Sequence, residues 1–197
     1  MPTTTGILLF QDAEELDFVG PWEVLTAAAQ LTGEGQTVTI AEHPGPVRCA
    51  KGLRVVPDHS FADAPHLDVV LVPGGMGTRR EAGNPVLIDW LRKAGAHATW
   101  VTSVCTGSLL LHEAGLARGK RVTTHWAFVP EFRKRAEVTV LDGPRYVRDG
   151  MLVTAAGVSA GIDMTLWLVG QLHSPEIARK VQRYLQYDPA PPYAAEV

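Results

Sequence analysis

The thiol of Cys105 is the side chain in this sequence with the clearest chemical potential. Residues 98–104 are rich in β-branched and aromatic types and predict a buried strand, whereas residues 109–114 predict a short packed helix. Open α/β sheets bind ligands at such strand ends, and a helix N-terminus is expected to lower the pKa of a cysteine toward the reactive thiolate. The same arrangement with serine is the nucleophile elbow of hydrolases. The alternative is that Cys105 is a small apolar core residue.

A pair of glycines could complete a site around this thiol. Gly74 and Gly75 follow Pro73 at the end of a continuous apolar run, residues 68–72. Glycine lets the backbone approach a reacting group closely, and the amides of Gly75 and Thr106 are expected to form an oxyanion-hole pair. The alternative is that Pro-Gly-Gly is only a tight turn that ends a strand.

One acidic residue has the surroundings of a general acid or base. Asp17 lies between apolar side chains in Leu16-Asp-Phe-Val-Gly-Pro21, just before a predicted helix. It either caps that helix or acts beside the thiol, with a pKa raised by burial and by the neighbouring thiolate. Asp17, Gly75 and Cys105 each follow a predicted strand, so they can meet at one sheet edge if the strand order allows it.

The histidines contribute less to the predicted site. None of the seven directly follows Cys105, and His125 is interpreted as a hydrogen-bonded structural residue in preference to a catalytic base. Met76, Trp126, Gly74 and His125 are candidate pocket residues. The histidines and aspartates between residues 59 and 68 match no metal-ligand spacing, so no metal site is predicted.

Composition limits the class of protein. The chain has 197 residues with a formal net charge of −3, which predicts a single domain over residues 1–197 and no electrostatic attraction to nucleic acid or to an anionic membrane. Two cysteines, no signal-peptide pattern and no long apolar run predict a cytoplasmic protein without a membrane span. The expected partner is a small molecule with little or no charge.

Strands and helices alternate along the chain, which predicts a mostly parallel sheet covered on both faces. The predicted strands are 6–10, 37–41, 68–72, 98–104, 138–141 and a pair within 146–154, with a hairpin at 47–56. The predicted helices are 22–31, 85–94, one that ends near 135, 159–172 and 175–185.

Five segments together resemble the ThiJ/PfpI superfamily of class I glutamine amidotransferase-like proteins. They are Leu16-Asp-Phe-Val-Gly-Pro21, Pro73-Gly-Gly75, Thr102-Ser-Val-Cys-Thr-Gly-Ser108, Thr123-Thr-His-Trp-Ala127 and Tyr187-Asp-Pro-Ala-Pro-Pro192. The resemblance implies a flavodoxin-like three-layer sandwich with a mostly parallel central sheet, helices on both faces and a nucleophile elbow. Within the superfamily the segments are most similar to the isonitrile hydratase subfamily.

That resemblance implies a homodimeric enzyme that adds water to an isocyanide and gives an N-substituted formamide, without a metal or organic cofactor. It assigns the nucleophile to Cys105, the acid to Asp17 where most of the superfamily has glutamate, and a contact with that acid to Thr106. The sequence departs from the subfamily at Trp22-Glu23 and at Met76-Gly77-Thr78, where the pocket and the substrate could differ.

Three alternatives stay open. The first is another activity of the superfamily, such as glyoxalase-type hydration or amide hydrolysis, against which Asp17 and Thr106 argue. The second is a ligand-sensing module of a transcription regulator, although too few residues follow the last predicted helix for a helix-turn-helix pair. The third is a redox sensor in which a low-pKa Cys105 is oxidised reversibly.

Overall fold

A seven-stranded sheet forms the centre of the computed structural model, which describes residues 3–189. Its strands are, in spatial order, β10 (Tyr146–Asp149), β11 (Leu152–Ala155), β7 (Trp100–Val104), β6 (Val69–Val72), β1 (Thr4–Leu8), β2 (Gln36–Ala41) and β5 (His59–Ser60). Only β10 runs antiparallel to its neighbour, so the carboxyl ends of β1, β6 and β7 share one edge. The predicted mostly parallel sheet is confirmed, and the strand order that the sequence did not reveal brings the three loops together.

Helices cover both faces of this sheet because successive strand residues point to opposite sides. Leu8 and Val70 face one core with α3 (Pro85–His97), α4 (Gly107–Glu113) and α5 (Val129–Phe132). Ile7 and Leu71 face the other core with α1 (Glu15–Thr32) and α6 (Ala160–Leu172). The last helix, α7 (Pro175–Tyr184), packs outside α1 and α6. The expected three-layer sandwich is thus confirmed.

Smaller elements complete the described chain. They are the predicted hairpin β3 (Val47–Arg48) with β4 (Arg54–Val55), the parallel pair β8 (Lys120–Val122) with β9 (Val138–Val140), the four-residue helix α2 (Thr78–Glu81) and a 3₁₀ turn at Trp126–Phe128. The predicted helix ending near residue 135 is wrong in extent, because the 3₁₀ turn and the short α5 with Pro130 in its first turn replace it. Among residues 3–189, no helix is long and apolar enough to cross a bilayer. The last three residues of the segment Tyr187–Pro192 lie outside the described range.

The first helix begins seven residues earlier than predicted. Pro21 looks like a helix start in sequence, yet it lies inside α1, which begins at Glu15. Packing keeps the helix continuous across the proline, since Gly20 approaches Ile162 and Pro21 approaches Gly161, both on α6. Asp17 therefore lies in the first helical turn, where α1 faces the core, and not in the loop before a helix.

Candidate active site

Cys105 lies in the sharp turn between β7 and α4. Its backbone has φ +56°, in the left-handed region that non-glycine residues rarely adopt. Its amide donates to the carbonyls of Ala155 and Ala156 at 3.1 and 2.9 Å, and its carbonyl accepts from Ser108 Oγ and Thr124 Oγ1 at 3.1 and 2.9 Å. These bonds hold a conformation that costs on the order of 1–3 kcal/mol and fix the thiol at the sheet edge.

Gly74 lies between the Cys105 thiol and the Asp17 carboxyl, where there is no room for a side chain. A Cβ at this position would lie 2.8 Å from Asp17 Oδ2, 2.8 Å from Cys105 Cβ and 2.5 Å from the amide nitrogen of Thr106. Gly107 has a similar role on the other side of the turn, where a Cβ would lie 2.2 Å from the carbonyl oxygen of Val72. The missing side chains let the ends of β6 and β7 and the start of α1 meet in one small volume.

The carboxyl group of Asp17 is completely buried beside the thiol. Its Oδ2 accepts a hydrogen bond from the amide of Gly74 at 2.9 Å, whereas Oδ1 has no hydrogen-bond partner among residues 3–189. Burial raises the pKa of Asp17 from 3.8 to about 7, with a further increase from the charge of Glu14; the Gly74 amide, the Cys105 thiol and the charge of Lys51 lower it. The group can therefore take up or release a proton near neutral pH.

The pKa of Cys105 moves in the opposite direction from the sequence prediction. Burial and the charge of Asp17 raise it from 9.0 to about 12, although the amide and hydroxyl of Thr106 and the amide of Val158 lower it. The prediction of a lowered pKa is wrong because desolvation outweighs the stabilisation offered by the start of a seven-residue helix. Between pH about 7 and about 12 the Asp17–Cys105 pair therefore holds one proton.

The contacts of Thr106 also differ from those expected. Its Oγ1 accepts from the amide of Gly75 at 3.1 Å, lies 3.2 Å from the carbonyl of Gly75 and accepts from Thr78 Oγ1 at 3.1 Å. The resemblance implies a contact of Thr106 with Asp17, and within residues 3–189 the Thr106 hydroxyl forms no hydrogen bond to that carboxyl. Because the Gly75 amide donates to the Thr106 hydroxyl, it is not free in this arrangement for the predicted oxyanion pair with the Thr106 amide.

Val158 is a site residue that sequence reasoning missed. Its amide lowers the pKa of the Cys105 thiol, and its φ of +48° is unusual for a β-branched residue. Val158 therefore joins the amide and hydroxyl of Thr106 as a group that favours the thiolate. Nothing in the segment Gly157-Val158-Ser159 indicates this role, because valine normally avoids such a conformation.

The candidate pocket residues lie around the elbow with different exposures. His125 Nδ1 accepts the amide of Ala127 at 3.2 Å and its ring packs on Gly157, so it is engaged in local structure as interpreted from sequence. Met76 and Trp126 are 71% and 75% exposed. Within the described part of the chain, no group of three or more His, Cys, Asp or Glu side chains could hold a metal ion.

Comparison with known proteins places this geometry in a family. Residues 5–171 match the model of the DJ-1/PfpI family. The chain is 41% identical over 193 residues to isonitrile hydratase of Pseudomonas putida. The aligned region covers 98% of this chain and 82% of that protein. It is 34% identical over 137 residues to the HTH-type transcriptional regulator CdhR of Pseudomonas aeruginosa, covering 70% of this chain and 40% of the regulator.

Solved structures agree with this assignment. The fold superposes on a ThiJ/PfpI family protein from Pseudomonas syringae with a TM-score of 0.90 and 32% identity, covering 100% of this chain and 80% of that one. DJ-1beta of Drosophila melanogaster matches with a TM-score of 0.84 and 24% identity, covering 96% and 100% of the two chains, and supports the fold alone. The chain belongs to the DJ-1/PfpI family.

Proposed function

We propose that this protein is an isonitrile hydratase-like enzyme, which adds water to an isocyanide and releases an N-substituted formamide. The observation that carries the proposal is the buried pair of Asp17 and Cys105, which shares one proton above pH about 7. The 41% identity to an isonitrile hydratase over almost the whole chain supports the same activity.

The first proposed step adds the thiol across the terminal carbon of the isocyanide. Asp17 takes the proton of Cys105 while the sulfur forms a bond to that carbon, and Asp17 then donates the same proton to the carbon. The product is a covalent thioimidate, R–N=CH–S–Cys105, and the carboxylate is regenerated. Because the thiol pKa is about 12, proton removal has to accompany attack, which explains why a neighbouring base is needed.

The second proposed step hydrolyses this intermediate. Asp17 removes a proton from water as the oxygen attacks the thioimidate carbon, and it passes that proton to the substrate nitrogen. The hydroxyl group of the tetrahedral adduct then gives its proton to Asp17 as the C–S bond breaks, Asp17 passes this proton to the sulfur, and the formamide R–NH–CHO leaves. In both steps Asp17 accepts a proton and then donates it, a cycle favoured by a pKa near neutral. These two reaction steps require only Cys105, Asp17 and water.

The alternatives fit the site less well. A redox-sensing cysteine needs a low pKa and exposure, whereas the Cys105 thiol is 6% exposed and its pKa is raised. Histidine-assisted amide hydrolysis would require a ring nitrogen that can accept the thiol proton, whereas Nδ1 of His125 already accepts from the Ala127 amide, which places the proton of the neutral ring on Nε2. The likeness to the regulator CdhR covers only 40% of that protein.

We also infer that the enzyme is a homodimer. Three large apolar side chains of α1 are each 39% exposed and lie one helical turn apart, on the helix that carries Asp17: Leu16, Val19 and Trp22. Apolar surface of this kind is typical of an interface, and contact with the same face of a second copy would bury it symmetrically.

Incubation with an aryl isocyanide tests the activity, with formamide formation followed by absorbance. We expect turnover by the native protein and none above background for Cys105→Ala, while Asp17→Asn should lower kcat by about 10²–10⁴-fold. Acid-quenched samples should contain protein heavier by the mass of one isocyanide. Failure of the native protein to form formamide would refute hydration, and turnover by Cys105→Ala would refute the covalent step.

A further inference from the structure

Arg79 is held beside the proposed site by three contacts. Its Nη1 donates to the carbonyl of Gly75 at 3.1 Å and to Thr78 Oγ1 at 3.2 Å. The same Gly75 carbonyl lies 3.2 Å from the hydroxyl of Thr106, the residue after the thiol. The guanidinium group also lies 4.7 Å from the ring centroid of Phe128, which favours a fixed orientation of this exposed cation.

The charge of Arg79 is not neutralised by the protein around it. The next residue, Arg80, forms ion pairs with Asp12 and Glu81 at 3.1 and 2.9 Å. Arg79 forms no ion pair within residues 3–189, and its Nε and Nη2 atoms have no hydrogen-bond partner there. An arginine uses two parallel N–H donors to bind a carboxylate, and Arg79 retains such a pair.

The surroundings of Arg79 are apolar as well as positive. Met76 lies in the loop just before α2, the helix that carries Arg79, and Trp126 lies two residues before Phe128. Both side chains are largely exposed. Above pH about 7 the Asp17–Cys105 pair carries one negative charge, which would repel an anionic substrate. A cation at the rim would offset that repulsion for a ligand with an apolar body and one anionic group.

We propose that Arg79 determines specificity for isocyanides whose organic group carries a carboxylate. The free Nε–Nη2 edge binds that carboxylate while the organic group contacts Met76 and Trp126. This inference rests on the proposed hydration of isocyanides and names the class of substrate. Because a carboxylate is planar and binds the guanidinium through two oxygens, arginine is better suited to this role than lysine.

Equilibrium binding to the non-reacting variant Cys105→Ala tests the inference, with 4-isocyanobenzoate and its methyl ester as probes in isothermal titration calorimetry. We expect the carboxylate to bind more tightly than the ester. Adding Arg79→Gln should lower the ratio of the two affinities by about tenfold, and Arg79→Lys should restore only part of it. Arg183→Gln, which removes an exposed arginine from α7, is the matched control and should preserve the ratio.

Several results would overturn the inference. Equal affinities for the two probes, or an unchanged ratio in Arg79→Gln, would exclude carboxylate recognition by Arg79. Equal weakening of both probes would show that Arg79 only holds the Gly75 loop. Turnover of the methyl ester by the native protein tests hydration separately, because an Arg79-dependent preference without turnover would refute hydration and still support recognition of the carboxylate.

Discussion

Burial raises the pKa of both Asp17 and Cys105. As a result, each group can take part in the proposed chemistry only together with the other. A thiol whose pKa is about 12 is unreactive by itself at neutral pH, and a carboxyl whose pKa is about 7 is half protonated there. When they are adjacent, the acid can accept the thiol proton at the moment of attack. In the proposed mechanism the reactive form is therefore the pair with one proton, and the population of that form depends on Asp17.

The activity should consequently rise with pH through the pKa of Asp17. The ionised carboxylate is the form that removes the thiol proton, so log kcat/KM should increase with a slope of about one below pH about 7 and become level above it. Measurements of kcat/KM for an uncharged aryl isocyanide between about pH 5 and about pH 9 check this prediction. A profile that falls through pH about 7 would mean that the protonated acid is the active form.

Two neighbouring charges should move this pH profile in opposite directions. The charge of Glu14 raises the pKa of Asp17 and that of Lys51 lowers it. Glu14→Gln should therefore shift the midpoint of kcat/KM to lower pH, and Lys51→Met should shift it to higher pH. Equal shifts in one direction, or none in either variant, would show that the midpoint belongs to a group other than Asp17.

Sequence predicted part of this site and missed the rest for a physical reason. Asp17 is an acid among apolar neighbours, and Gly74 and Cys105 each follow a predicted buried strand, so all three are noticeable in the sequence. The roles of Gly75 and Val158 depend on which way a backbone amide points, and the amide direction follows from packing that has no local pattern. The pKa of Cys105 was mispredicted because burial depth is a property of the assembled fold.

At the scale of elements, the site depends on how closely α4 approaches the end of β6. A Cβ at Gly107 would lie 2.2 Å from the carbonyl oxygen of Val72 and 2.8 Å from that of Pro73, both backbone atoms that cannot move independently. The sequence placed a strand before Cys105 and a helix after it, but it did not reveal this contact. The strand order, which sets the neighbours of β7, likewise required the structure.

Replacement of Gly107 by alanine should therefore damage both stability and activity. The added methyl group must push α4 away from β6, which we expect to cost about 2–3 kcal/mol in the free energy of unfolding and to displace Thr106 and the thiol. Urea denaturation and kcat/KM are the measurements. Gly83→Ala is the matched control, since a Cβ there would have the carbonyl oxygen of Arg80 as its nearest neighbour, at an ordinary distance of 3.6 Å. Equal effects of the two substitutions would contradict the packing argument.

The molecule as a whole has an exposed apolar face on the helix that carries the acid. Leu16, Val19 and Trp22 are each 39% exposed on α1, and dimerisation through them would remove this apolar face from water. Trp22→Glu should give a monomer in sedimentation velocity, because a charge buried in an apolar interface is not compensated. Leu31→Glu, at the opposite end of α1, should remain dimeric. A native protein that sediments as a monomer would refute the homodimer.

The free energy of unfolding of the whole chain should depend on pH because Asp17 is buried. Its pKa is about 7 in the folded protein against 3.8 for the ordinary group, so between these pH values the folded state binds more protons than the unfolded state. The free energy of unfolding must then fall as pH rises from about 4 to about 7, and the loss is complete above that range. A shift of about three pKa units corresponds to about 4 kcal/mol.

Asp17→Asn removes this titration while keeping an oxygen that can accept the Gly74 amide. The variant should match the native protein near pH 4 and become more stable than it toward pH 8, by up to about 4 kcal/mol in urea denaturation at one protein concentration. Glu23→Gln, which removes an exposed carboxyl from the same helix, should show no such trend. A difference between Asp17→Asn and the native protein that stays constant with pH would mean that folding does not raise the pKa of Asp17. In that case Asp17 would be ionised throughout the neutral range, and a rise of kcat/KM near pH 7 would have to come from another group.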